Sequence, residues 1–176
     1  MRILLGSLAL ALVISVLGAG TALATHSNGR GPSMDFQHVT HKGSCSTPAG
    51  FFPCHVHVNG QSESATGEPA QGHWYMRVFT AGSLDLPDPV VLSGEVICVT
   101  AIGSQSWARL RIDQSNTGLA PPGNTILDRA IDNGEGVNAP QDEWADIQTG
   151  PATTCPPIAL SVTPIVQGNI TNHDGI

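Results

Sequence analysis

The sequence predicts an all-β domain, an antiparallel meander that forms a single small barrel or packs as a sandwich. Three observations carry this expectation. Several segments alternate apolar and polar residues with period two, none repeats with the 3.6 period of an amphipathic helix, and turn-rich connections separate them at the spacing of all-β domains. Composition agrees. The chain has 20 Gly and 13 Pro, and only 12% of its residues are charged, about half the usual share.

The segments follow in order. PCHVHVNGQ (53–61) places Val56 and Val58 on one face and His55 and His57 on the other. QGHWYMRVFT (71–80) sets Trp74, Met76 and Val78 against His73, Tyr75, Arg77 and Phe79. A proline-containing connection leads to the β-rich run VVLSGEVICVTAIG (90–103). SQSWARLRIDQS (104–115) alternates cleanly, with Ala108, Leu110 and Ile112 inward and Trp107, Arg109, Arg111 and Asp113 outward. The junction Ile102-Gly103-Ser104-Gln105 reads as a tight hairpin turn. Further strands are expected over TILDRAID (125–132), DEWADIQTG (142–150, with Ala145 and Ile147 on one face) and PIVQGNITNH (164–173). No element is assigned between residues 35 and 52, where His38 and His41 lie.

The first 24 residues read as an export signal. Arg2 is their only charge, an apolar run from Ile3 to Leu17 follows, and Ala22-Leu23-Ala24 is the small-x-small pattern of a cleavage site. Gly18, Gly20 and Thr21 interrupt the run before it reaches the ~20 residues that a membrane span needs. Residues 25–34 read as a flexible lead, and 35–176 as a single β domain. The expected location is secreted or extracytoplasmic, with no membrane span after signal cleavage. Without Arg2, six Lys and Arg face 14 Asp and Glu, a net charge near −8. That excess argues against nucleic acid, whose phosphates require clustered cations.

Four cysteines, Cys45, Cys54, Cys98 and Cys155, in an oxidising compartment predict two disulfides. Of three pairings, Cys45–Cys54 with Cys98–Cys155 is favoured. The first closes a short loop holding two prolines and a glycine, and the second ties a central strand to the C-terminal segment. In the chain-entropy model these would contribute about 2.5–3 and about 4 kcal/mol.

Three sequence elements resemble a group of small exported, mostly uncharacterised bacterial proteins. The first has the form G-x-V-x-C-V, here Gly94-Glu95-Val96-Ile97-Cys98-Val99, followed by a short turn and an alternating strand. The second is a strand leading into V-x-D-N-G-E-G, here Ala130-Ile131-Asp132-Asn133-Gly134-Glu135-Gly136, with Pro140 and Asp142 beyond. The third is a terminal Q-G-N-I-T-x-H-D, here Gln167 to Asp174. They span roughly residues 90–176. The resemblance implies export and a β fold and carries no catalytic residue.

Candidate chemistry falls in three places. Asp128, Asp132, Asn133, Glu135 and Asp142 bring carboxylate and amide oxygens to a Gly-containing turn, the ligand type calcium takes. Asn-Gly is equally a hairpin-turn dipeptide whose acids would simply face water. His55 and His57 share one strand face, and His73 could approach if the two strands pair, a set suited to zinc or copper. Otherwise they form a solvated polar face. The outward row Trp107, Arg109 and Arg111, with Trp144 as an addition, could stack on sugars or pair with carboxylates. No G-x-S-x-G occurs and every cysteine is expected to be oxidised, which leaves nucleophilic catalysis without a candidate.

Three functions follow as expectations. The leading one is a non-enzymatic domain that binds an extracellular ligand or takes part in cell-surface structure, with calcium as the one cofactor the sequence suggests. The second is a small secreted enzyme, metal-dependent or carboxylate-based through Asp132 and Glu135. The third is a barrel carrying a small lipophile in a lumen lined by residues such as Val56, Trp74, Leu110 and Ile126.

Overall fold

A computed structural model describes residues 35–47, 50–62, 67–82, 85–135 and 138–173. The expected signal peptide and lead lie outside them. Nine antiparallel strands form a curled half-barrel, without an α-helix among the described residues. They are β1 Asp35–Thr47, β2 Gly50–Ser62, β3 Ala70–Val78, β4 Val90–Ile102, β5 Gln105–Ser115, β6 Thr125–Ile131, β7 Glu143–Thr149, β8 Thr163–Pro164 and β9 Gln167–His173. The sheet order is β8-β7-β6-β5-β4-β3-β2-β1-β9. The strands expected from alternation are all present. The long strand β1 was not expected.

The curl has a local cause at each end. The chain crosses from β8, paired on β7, to β9, paired on β1, through Ile165 and Val166 alone. Ile165 N–H donates to Asp142 O, and Val166 N–H to Lys42 O, so this crossing draws the two ends of the sheet together. Beyond it, Ser46 N–H donates to Asp146 Oδ1 at 2.9 Å, joining β1 to β7. Close approach of β9 requires Gly168. Its φ is +136°, and a Cβ there would run into the Thr40 carbonyl oxygen.

The concave face carries the core. Val39, Val56, Val58, Trp74, Met76, Val78, Val96, Val99, Leu110, Ile112, Ile126 and Trp144 pack there as one cluster. Trp144 therefore faces inward, and the outward position expected for it is corrected. Its neighbour Ala145 and the exposed Ile147 take the opposite face. Trp74 anchors the core with an indole N–H donated to Arg111 O.

Both favoured disulfides are formed. Cys45–Cys54 ties β1 to β2. Cys98–Cys155 pins a segment without regular structure, residues 150–162, onto the convex face of β4 to β6. Trp107 Nε1 donates to Ile158 O, Arg109 Nε to Thr154 O, and Arg129 Nη1 to Leu160 O. Trp107 and Arg109 do point outward, but the strap buries them to 5% and 4% exposure, so they offer no stacking surface. Only Arg111 of the row remains at the surface, paired with Glu95 and Asp113, each at 2.7 Å. Two disulfides indicate an oxidising, extracytoplasmic environment. No helix among the described residues is long and apolar enough to cross a membrane.

Candidate functional site

The acidic turn serves the fold. Asp132 Oδ1 accepts Gly134 N–H at 2.8 Å, and its Oδ2 lies 3.4 Å from the donor Asn172 N. Asp142 Oδ1 accepts Asn133 N–H and its Oδ2 accepts Ile170 N–H, at 3.0 and 2.8 Å. The D-N-G-E-G element and the terminal G-N-I-T element are therefore one structural joint, in which carboxylates take up backbone donors of β9. Glu135 is exposed, and Asp128 points the other way, into the core. The five calcium candidates do not gather around one point.

The histidine strand gains a neighbour from β1. Thr40 lies opposite His57 and His38 opposite Asn59, while Asn59 also faces His73 across β3. The ring centroids of His38 and His57 are 5.4 Å apart, and those of His57 and His73 5.9 Å. Thr40 Oγ1 sits 3.1 Å from His57 Nδ1 and 3.4 Å from His38 Nε2. His55 turns away to meet the edge of Phe79, with centroids 4.9 Å apart. Burial, and then the neighbouring His57, hold His38 below the usual histidine range. Among the described residues, no group of three or more His, Cys, Asp or Glu side chains is placed to hold a metal ion.

The most unusual chemistry lies inside, at the seam between β1 and β7. Several inward positions here are polar. Gln37 and His41 come from β1, Asp128 from β6, and Trp144 and Asp146 from β7. Asp128 and Asp146 are direct cross-strand partners. Asp128 Oδ1 accepts Ala108 N–H at 2.9 Å and Gln37 Nε2–H at 3.1 Å. The network continues from Gln37 to Ser106 Oγ at 2.9 Å, and from there to Asn172 Oδ1 at 2.6 Å, linking β6, β1, β5 and β9. Burial pushes the Asp128 carboxyl up to about 7 against these hydrogen bonds and the nearby Trp144 indole. Burial also pushes Asp146 up to about 7, opposed by Ser46 N–H and reinforced by the charge of Asp128. His41, ring to ring with Trp144 at 4.6 Å, is pushed down to about 4 by burial; the Lys42 backbone opposes this and the charge of His55 adds to it.

Two cavities flank this seam, and Ser46 and Asp146 line both. One, of about 200 Å³, lies between β1, β7 and the strap, and is lined by Phe51, Trp144, Ile147 and Leu160 among others. The other is smaller, about 40 Å³. It is a narrow apolar slot between Phe52, Met76, Val78, Leu86, Val90, Leu92, Ala120 and Ile126, with Thr80, Gln148 and Asp146 as its polar groups. The hydrogen bond from Ser46 N–H to Asp146 is thus part of the wall between the two. Of the lumen residues expected from sequence, Ile126 lines the slot, while Val56, Trp74 and Leu110 are packed into the core. Sequence reasoning missed Gln37 and Asp146. The signal available for Asp146 was an acid beside Trp144 on a strand whose other face is apolar.

Compared with known proteins, the chain matches no family model, no curated protein and no solved structure.

Proposed function

We propose that the chain is secreted and acts as a non-enzymatic binding domain, with an apolar chain-like molecule taken into the slot at the β1–β7 seam. The slot itself carries this reading. Small-molecule sites are concave and mostly apolar, with a few polar groups that fix orientation, and they collect residues with displaced pKa values. This slot has that composition, and Asp146 at its inner wall can hydrogen-bond a polar head. At about 40 Å³ the slot has to widen to take up a hydrocarbon chain. Export is supported by the Arg2-to-Ala24 signal pattern, by the two disulfides and by the resemblance to small exported bacterial proteins.

The test is thermal unfolding with dodecanol or dodecanoate added. A ligand that binds only the folded state raises stability by about 2.7 kcal/mol at 100 times its Kd. Ala120→Phe, which fills the slot, should abolish the rise while leaving the circular dichroism spectrum of the unliganded protein unchanged. No rise with either compound at millimolar concentration would end this reading.

A second reading, a carboxylate-based enzyme, is favoured by one observation only. Asp128 and Asp146 form a cross-strand pair near neutrality, the range in which general acid–base groups work. Catalysis would need Asp146 ionisable in the cleft, and Asp146→Asn would then abolish turnover while sparing binding.

A further inference from the structure

The convex face of β9, β1, β2 and β3 stays open to solvent and gathers basic side chains. Strand register places seven of them there. Lys42, His55 and Arg77 are cross-strand partners in one row, and His57 stands in the next. His38 and His73 flank Asn59 in a third row, and His173 faces Phe36 beyond it. Glu95 of β4, opposite His73, is the one acid in these rows, and Arg111 of β5 holds it at 2.7 Å. Arg111 also pairs with Asp113 at that border. Behind the face, on the inner side of β1, lies His41, whose charge couples to that of His55. The whole chain has 14 Asp and Glu against seven Lys and Arg, so this face is opposite in sign to the rest of the molecule.

We infer that this face binds an acidic polysaccharide, a polyuronate-like chain laid across the strands in mild acid. Charge complementarity carries the inference. Lys42 and Arg77 are fixed cations, and imidazoles gain charge in mild acid, so the face moves from two basic charges toward seven. The positions between them suit sugars. Asn59, Thr40, Thr171 and Asn169 offer donors and acceptors for hydroxyls, and Tyr75, 39% exposed, offers a flat ring. Five strands at about 4.8 Å spacing give the chain a track of roughly 20 Å. Nucleic acid fits less well, because its phosphates need clustered Lys and Arg and these rows hold two.

The geometry also couples binding to protonation. His57 Nδ1 and His38 Nε2 both lie on Thr40 Oγ1, at 3.1 and 3.4 Å, and His57 and His73 have ring centroids 5.9 Å apart. Cationic rings this close repel each other, as the lowered His38 shows. A carboxylate seated among them removes the repulsion, so bound anion and bound proton favour each other. The inference is independent of what occupies the seam slot.

Isothermal titration calorimetry of the protein with alginate oligosaccharides tests it, with dextran as the uncharged control. Alginate should bind at pH 5.5 and at least about tenfold more weakly at pH 7.5. Binding should draw protons from the buffer, and dextran should give no response. His57→Gln with His73→Gln changes two side chains on the open face, so Tm should hold while alginate affinity and proton uptake at pH 5.5 both fall. No binding at pH 5.5, equal binding at the two pH values, or wild-type affinity in the variant overturns the inference. Dextran bound as tightly as alginate overturns it too. Tighter binding of single-stranded DNA or of phosphatidylglycerol vesicles than of alginate would assign the face to another polyanion and overturn it as well.

Discussion

The convex surface of the sheet falls into two halves built from the same kind of strand. On β1 to β3, alternate residues His38, Thr40, His55, His57 and Tyr75 point outward and stay at least partly in water. On β5 and β6, the equivalent residues Trp107, Arg109 and Leu127 point outward and are buried. Strand geometry does not separate them. The difference is residues 150–162, which Cys98–Cys155 and three backbone carbonyls hold over one half and not the other. Alternation reports which face a residue occupies, whereas coverage from a remote segment decides whether that face is dry.

Removing the strap should have the largest effect. Cys98→Ala with Cys155→Ala opens a loop whose closure contributes about 4 kcal/mol in the chain-entropy model, and it exposes Trp107. Tm should fall markedly, and tryptophan emission should shift to the red. An unchanged spectrum would mean that the carbonyl contacts hold the strap without the disulfide.

The pH dependence of stability sharpens the contrast between buried and solvated groups. Asp128 and Asp146 have folded values of about 7 against 3.8 when free, so the folded state carries two protons between these limits that the unfolded chain lacks. Their contribution is complete below pH 4 and is lost as pH rises toward 7. His41 acts the other way. Its folded value of about 4 lies below the ordinary 6.5, so its contribution is lost as pH falls through that window. Between pH 4 and 6.5 the difference is two protons less one, and stability should fall as pH rises, with a slope of order ~1.4 kcal/mol per pH unit. Urea denaturation at pH 4.5 and 6.5 would show it. Asp128→Asn with Asp146→Asn should reverse the slope, leaving the lowered histidines His41 and His38.

The smallest effect belongs to the open half. His57→Ala removes two ring contacts, to His38 and His73, and one contact to Thr40, and should change stability by less than about 0.5 kcal/mol. A loss several times larger would show that the histidine row is a structural element and that the two halves differ less than their coverage implies.

The legibility of the sequence follows from which faces are apolar. Val56 and Val58, Trp74 to Val78, and Ala108 to Ile112 could be assigned as strands with an inward face because one side of each is apolar. Strand β1 escaped for the opposite reason. Its inward residues include Asp35, Gln37 and His41, so its polarity pattern carries no alternation that hydrophobicity can report. The candidate site was hidden with it, since the seam consists of inward polar groups on β1, β6 and β7. The calcium and histidine candidates were visible in sequence because their residues cluster along the chain. Their geometry depends on strand register, which brought His38 beside His57 and turned His55 onto Phe79.

The sequence by itself determined the class of this protein, its strands with one apolar face and the favoured cysteine pairing, because these rest on local periodicity and on loop lengths along the chain. Only the tertiary structure decided that Asp132 and Asp142 anchor β9, that Trp107 is dry and Trp144 faces inward, and that Asp128 and Asp146 meet across two strands. Each of these depends on contacts between residues distant in sequence, where burial and the loss of water set both the packing and the chemistry of the groups involved.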